Sequence, residues 1–194
     1  MKNLIMQKNK WFQFIFVMAL AVVIAGCKKD DPDVLGCTDP DGDQYNAAAN
    51  VDDGSCTYFN RFTGTWNGVF GCQGPLMAAF TSAQIQITES VSATNDVVSV
   101  TVISAALPGP LPVVGTITKN DLTLSANLPN VPLALAGLPP GLIMNITVSG
   151  VLTLQANGSL SGNVMVSLMD TTGTLQMVIG TNTLADNCTF TAMK

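Results

Sequence analysis

The stretch that decides the fold is 144–168, MNITVSGVLTLQANGSLSGNVMVSL. Apolar residues alternate with mostly polar ones along 144–154 and again along 160–168, on the two sides of Asn157-Gly158. A period of two places one face of a strand in a core and the other in water. Because Asn-Gly is a preferred pair for a tight turn between antiparallel strands, the stretch predicts a long β-hairpin.

Shorter runs with the same alternation extend through residues 62–194. They are Thr65–Cys72, Ile85–Thr88, Val98–Ile103, Val113–Thr118, Leu122–Ala126, Thr174–Ile179 and Cys188–Met193. Together with the hairpin they predict about eight or nine antiparallel strands, and no segment has convincing helical periodicity. The segment length and the turn spacing fit an all-β domain, folded as one antiparallel barrel or sandwich.

Two segments rich in proline and leucine interrupt these runs: ALPGPLPVV at 106–114 and NLPNVPLALAGLPPG at 127–141. Proline lacks the N–H that a central ladder needs, so both are predicted to be long connections or edge segments. Their apolar side chains either complete the core over an open end or form an apolar lip around a ligand cavity or partner contact. The candidate ligand or contact residues are Trp66, Leu107, Leu111, Leu133, Leu135 and Leu138.

The segment 36–58, GCTDPDGDQYNAAANVDDGSCTY, is acidic and contains almost no core-forming residue. Such a short piece needs a disulfide, a metal ion or both to fold. The spacing D-x-D-x-D can present carboxylate oxygens to one Ca²⁺, although no glutamate closes an EF-hand pattern. The candidate calcium ligands are Asp39, Asp41, Asp43, Asp52 and Asp53. The alternative is that these aspartates form Asx-turns in a solvated linker.

Residues 1–26 have the pattern of a secretory signal. Three lysines and no acid precede an apolar run at 12–24, which ends in Ile24-Ala25-Gly26-Cys27. The run is shorter than the ~20 residues of a membrane-spanning helix. The expected outcome is cleavage before Cys27 and a tether at 27–35, with an uncleaved anchor or ordinary secretion as the alternatives.

Charge and composition exclude several classes of function. Loss of three lysines with the leader leaves five basic residues against thirteen acidic ones, so no nucleic-acid binding is expected. The chain has no histidine, which excludes Ser-His-Asp and Cys-His catalysis and His-ligated zinc. No close carboxylate pair occurs in 62–194, so a two-carboxylate hydrolase is not expected either. A non-enzymatic protein is therefore predicted.

The cysteine count fits export to an oxidising compartment. If Cys27 is acylated, four cysteines remain, an even number that can pair fully. Three pairings exist, and chain order favours Cys37 with Cys56 and Cys72 with Cys188. The second pair would join the first strand of the large domain to its last.

The sequence around Cys27 resembles that of bacterial lipoproteins, and Lys28-Lys29-Asp30-Asp31 resembles the export signal of surface lipoproteins in Bacteroidota-type bacteria. This resemblance implies diacylglycerol and palmitate chains on Cys27. It also implies lipid anchoring to the outer membrane, with the protein facing the cell surface. The same four residues would equally serve as a simple soluble tether.

Two further resemblances concern the folded part. Gly36–Pro40, Tyr45-Asn46 and Asp52–Cys56 match a short repeat, GCTDP to DDGSC, of exported proteins in the same bacterial group. Gly64-Thr65-Trp66 resembles the G-x-W start of lipocalin-like barrels, in which a first-strand tryptophan plugs one end, although no arginine near the C-terminus can pack over it.

These features predict a surface-exposed lipoprotein that binds an apolar ligand or a protein partner through its β-domain, 62–194. The alternative is a structural or assembly subunit of an envelope complex.

Overall fold

The computed structural model describes residues 32–74, 83–89, 96–105, 107, 109–133 and 140–194. Leu35–Lys194 form one compact unit, and Met1–Val34 form another, of which only 32–34 are described. The elements in chain order are β1 (Leu35–Gly36), β2 (Val51–Asp52), α1 (Phe59–Phe62), β3 (Gly64–Gly71), β4 (Ala83–Glu89), β5 (Val97–Ile103), β6 (Leu111–Thr118), β7 (Asp121–Leu133), β8 (Leu142–Leu154), β9 (Leu160–Asp170), α2 (Thr174–Ile179) and β10 (Thr183–Met193).

Strands β3 to β10 form a closed antiparallel barrel of eight strands. Each strand pairs with its sequence neighbours, and β10 closes the barrel by pairing with β3, with Phe190 opposite Phe70. The barrel prediction is therefore confirmed, and the sandwich alternative is wrong. Strands β8 and β9 are the predicted hairpin, joined through Gly158, which has a φ of +80°.

Alternation along the strands builds the core. β10 alternates exposed and buried residues without interruption, and Cys188, Phe190 and Ala192 point inward. The rings of Phe70 and Phe190 lie 4.6 Å apart, centroid to centroid. A Cβ atom at Gly68 would lie 2.5 Å from the Phe190 ring. Glycine at this position therefore lets the first and last strands pack against each other.

The predicted strand at Thr174–Ile179 is wrong, because this segment is the short helix α2. Gly173 and Gly180 flank it, each with a φ of +76°, a left-handed conformation that ends regular structure on both sides. A carboxylate oxygen of Asp170 accepts a hydrogen bond from the Leu175 N–H at 2.7 Å. Local turn chemistry therefore overrides the apolar pattern.

The expectation of long connections is wrong for 111–114 and 127–133, since Pro112 lies within β6 and Pro129 and Pro132 lie within β7, whereas 109–110 and 140–141 do lie in connections. The registered β6–β7 ladder ends at Val114 opposite Ser125, so all three prolines lie beyond it. Pro112 and Pro132 each have a registered partner on one side only, and Pro129 has none. This agrees with the alternative prediction that the proline segments are edge segments, because a missing N–H costs little where a strand pairs on one side only. A register shift in β7 also surrounds Pro129.

The acidic module, 36–58, continues into the barrel core. Its two short strands pair in parallel, with Leu35 opposite Val51. Tyr58 and Phe62 at its end are buried in the same apolar cluster as the barrel interior. The Lys119 Nζ atom, in the β6–β7 turn, lies 3.3 Å from an oxygen of Asp39.

Alternating strand directions assign the connections to two ends of the barrel. The end where α1 enters β3 and where β10 finishes is here called the module end. The opposite end is called the distal end. The connections that start and finish at the distal end are 72–82, 104–110, 134–141 and 171–182.

Candidate functional site

Both predicted disulfides are confirmed. Cys37 is bonded to Cys56 within the module, and Cys72 is bonded to Cys188 across the seam between β3 and β10. Asp186 lies beside the second disulfide, where its carboxylate accepts hydrogen bonds from the N–H groups of Gln73 and Gly74. The carboxylate therefore holds the chain that leaves β3 against β10.

The structure does not bring the five predicted calcium ligands together. Among the described residues, only Cys72, Asp186 and Cys188 place three potential metal-binding side chains within 4.8 Å of one another, and both sulfurs there are in a disulfide. The module aspartates instead accept hydrogen bonds from nearby N–H groups. The acceptor–donor pairs are Asp39 with Asp41, Asp52 with Gly54, Asp53 with Ser55, and Asp43 with Asn60. Three of these pairs are Asx-turns, so the geometry favours the structural interpretation of the acidic spacing.

Asp39 is the best-connected carboxylate of the module. One oxygen accepts the Asp41 N–H at 3.0 Å, and the other accepts the Tyr58 hydroxyl at 2.9 Å. The bond from Asp41, followed by that from Tyr58, holds the pKa of Asp39 below its ordinary value. Burial and the same carboxylate raise the pKa of Tyr58. The pair therefore links the module to the first core residue of the barrel.

Trp66 fills the module end of the barrel, as the lipocalin resemblance implies for a first-strand tryptophan. Its side chain is 1% exposed, and its indole N–H donates to the Phe62 carbonyl at 2.8 Å. Lys194 at the chain end holds its Nζ atom 5.0 Å from the centroid of the ring. The Lys194 ammonium group therefore lies over the indole ring in a cation–π arrangement. As a candidate contact residue, Trp66 is inaccessible and serves as a plug.

An apolar cavity of about 40 Å³ remains inside the barrel. Its twelve described lining residues are all apolar and include the predicted contact residues Leu107 and Leu111. Leu133 is buried but is not among them. Pockets for small organic ligands span about 300–1,000 Å³, so the interior of the barrel is nearly filled.

Three predicted site residues, Cys27, Leu135 and Leu138, lie outside the described residues. Their roles stay predictions.

The sequence did not point to the most exposed apolar cluster of the described chain. Met177, Val178 and Ile179 on α2 are 81%, 57% and 45% exposed. Ile143 and Met169 are also exposed near the same end of the barrel wall. The available signal was the pair of glycines that flank 174–179, which marks a segment leaving the strand pattern.

Strands β3 to β10 form a closed barrel with exposed apolar side chains at its distal end. Comparison with known proteins gives no match: no family model fits the sequence, and no curated protein or solved structure is significantly similar to it. Within the described ranges, no helix combines the length and the hydropathy needed to cross a bilayer.

Proposed function

We propose that this chain is a non-enzymatic lipoprotein of the outer-membrane surface that binds an apolar partner molecule through the distal end of its barrel. The observation that carries the proposal is the exposure of three consecutive apolar side chains, Met177, Val178 and Ile179. In folded proteins, contiguous exposed apolar patches mark surfaces that bind a partner, a ligand or a membrane. The anchoring part of the proposal rests on the Ile24–Cys27 sequence and the leader before it.

The contact is a surface contact. A cavity of about 40 Å³ is far smaller than the ~300–1,000 Å³ of pockets that bind small organic molecules. A whole ligand therefore has no room inside the barrel. Among the described residues, the exterior of the distal end carries the three consecutive exposed apolar side chains, Met177, Val178 and Ile179, that a ligand or protein partner can cover.

The α2 surface is held in place by specific contacts, which distinguishes it from a frayed loop. Leu175 is fully buried and anchors the helix to the core. Asp170, itself buried, accepts hydrogen bonds from Thr172 and Leu175. The hydrogen bond from Thr172 is the main cause of a lowered pKa for Asp170, which keeps the carboxylate ionised and able to accept both bonds.

A site-specific photo-cross-linker tests this proposal in the intact, exported protein. The amino acid p-benzoylphenylalanine replaces Val178 in one variant and Met165, which is exposed on the barrel wall, in the matched control. Irradiation of whole cells is expected to produce an adduct from position 178 and none from position 165. Equal labelling at both positions, or none at position 178, would contradict binding through the distal end.

The nearly filled interior also supports the second candidate, a structural subunit of an envelope complex. In that case, gentle detergent extraction keeps the protein in a particle larger than a monomer, and Met177→Asp releases it. A monomer in the extract that nevertheless forms the position-178 adduct would favour a transient partner over assembly.

A further inference from the structure

We propose that the distal end is built to enter the hydrocarbon of an uncharged lipid surface, as a membrane contact separate from the acyl anchor. This inference rests on the proposed function, because it names the apolar partner as lipid.

The distal end has no exposed charge. The four connections that start and finish there, 72–82, 104–110, 134–141 and 171–182, contain no Asp, Glu, Lys or Arg. The nearest carboxylates, Asp170 and Asp186, are buried and accept hydrogen bonds from the chain. All three basic residues of 35–194 lie at the module end: Arg61, Lys119 and Lys194.

Charge of either sign is strongly disfavoured in hydrocarbon. Protein interfaces, by contrast, usually keep a polar rim around an apolar centre, and arginine is enriched in them. An end with exposed apolar residues and no charge complements the acyl region of a membrane better than it complements a protein surface.

Four polar side chains of the described distal connection, 171–182, donate hydrogen bonds within this end. The Gln176 amide donates to the Gly180 carbonyl at 3.1 Å, at the C-terminus of α2. Three hydroxyl groups donate in the same way. They are Thr171 to Ile143 O, Thr172 to the Asp170 carboxylate, and Thr181 to Thr183 O.

These bonds matter because hydrocarbon offers no hydrogen-bonding partner, so a polar group enters it at low cost only when it is satisfied internally. A water-facing loop has no such requirement. The hydrogen bonds of Thr171, Thr172, Gln176 and Thr181 therefore lower the cost of moving this connection from water into hydrocarbon.

The exposed apolar side chains lie together on this end. Met177, Val178 and Ile179 project from α2, while Ile143 and Met169 occupy the adjoining ends of β8 and β9. The Thr171 N–H donates to the Ile143 carbonyl at 3.0 Å, which joins the start of this connection to β8. A shallow insertion of about 5–10 Å, the depth reached by interfacial helices, would cover such a surface.

The test measures binding of residues 27–194 to lipid vesicles. This piece contains the whole compact unit Leu35–Lys194, and Cys27→Ser removes any acyl chain. The vesicles are pure phosphatidylcholine, or phosphatidylcholine with phosphatidylglycerol. The expected result is co-sedimentation with the neutral vesicles, unchanged by anionic lipid and by salt between about 0.05 M and about 0.5 M, because no charged contact is screened.

Met177→Asp is expected to weaken vesicle binding at least about tenfold, because it places a charge in the inserted surface. The matched control is Met165→Asp, the same change on the barrel wall, which is expected to bind like the parent protein. Equal losses in the two variants would overturn the proposal. So would a requirement for anionic lipid.

A second measurement does not depend on a destabilising charge. Val178→Trp is expected to show indole fluorescence that is quenched by vesicles with brominated acyl chains, whereas Met165→Trp is not quenched. Failure of the parent protein to bind neutral vesicles would overturn the lipid inference. If position 178 still cross-links to a protein in cells, the proposed function survives that failure; if cross-linking also fails, both are overturned.

Discussion

Trp66 shows how a single side chain determines what one end of the barrel can do. Its ring is buried between the core and Lys194, and its N–H satisfies the carbonyl of Phe62 at the end of α1. The residue therefore closes the barrel and also fixes the chain that arrives from the acidic module. A ligand can enter the module end only by displacing both contacts.

Replacing this residue tests the role of the plug. Trp66→Ala is expected to lower the free energy of unfolding by about 3–5 kcal/mol, because a large buried side chain leaves a cavity. Trp66→Phe should lose less, since it keeps most of the packing but leaves the Phe62 carbonyl without its donor. Urea unfolding of the oxidised protein provides the measurement. Val69→Ala, on the exposed face of the same strand, is the control and should change stability by less than about 0.5 kcal/mol.

Asp39 makes the stability of the module depend on acid pH. Its folded-state pKa lies below the ordinary value of 3.8. Its contribution is therefore fully present above that value and is lost as the pH falls through the lower folded-state pKa. We expect the urea midpoint to decline below about pH 4. Asp39→Asn should make this decline smaller, whereas Asn at the exposed position Asp33 should leave it unchanged. An identical acid profile in Asp39→Asn would show that this carboxylate is not responsible.

At the scale of elements, the strands of the barrel were predictable because their signal is local. The alternation of apolar and polar residues along 144–154 and 160–168 is visible from residues that are adjacent in the sequence. The helix α2 was missed because its six residues also fit an apolar strand pattern, and only the left-handed Gly173 and Gly180 exclude that pattern. A strand would have buried every second residue of 174–179. The helix instead leaves three adjacent apolar residues exposed, so the candidate binding surface could not be predicted either.

Strand β7 was missed in part for a different reason. Its two prolines would disrupt the sheet only where strands on both sides pair with β7. Where that double pairing ends is set by the tertiary fold, which stops the β6–β7 ladder at Ser125. The disulfides, by contrast, were predictable from the sequence, because chain order alone favoured the two pairs that the structure contains.

The two disulfides should contribute unequally. Cys72 and Cys188 are 116 residues apart and Cys37 and Cys56 are 19 apart. In the chain-entropy account, these loops correspond to about 5 and about 3 kcal/mol of stabilisation. Replacing each pair by alanine and measuring urea unfolding should show the larger loss for the Cys72–Cys188 pair. Equal losses would mean that strain or residual structure outweighs the loop length.

For the whole molecule, the main feature is an asymmetry between the two ends. The module end carries the three basic residues of 35–194 and the acidic module, 36–58. The distal end carries exposed apolar side chains and no exposed charge. Within the compact unit Leu35–Lys194, charge and exposed apolar surface are therefore separated onto opposite ends of the barrel.

The anchor itself is tested by metabolic labelling. Cells given a radioactive fatty acid are expected to label the wild-type protein and to remove residues 1–26. Cys27→Ser should incorporate no label and should keep the leader, which is visible as a larger mass. Cys37→Ser, which also removes one thiol, should still be labelled. Labelling of Cys27→Ser would show that acylation occurs elsewhere.

The bond between Cys72 and Cys188 also affects how the protein responds to proteolysis. All seven connections between barrel strands lie within the loop that this bond closes. A protease that cleaves any one of them after Cys72 and before Cys188 produces two pieces that stay covalently joined. Such a nicked molecule migrates as one species until it is reduced.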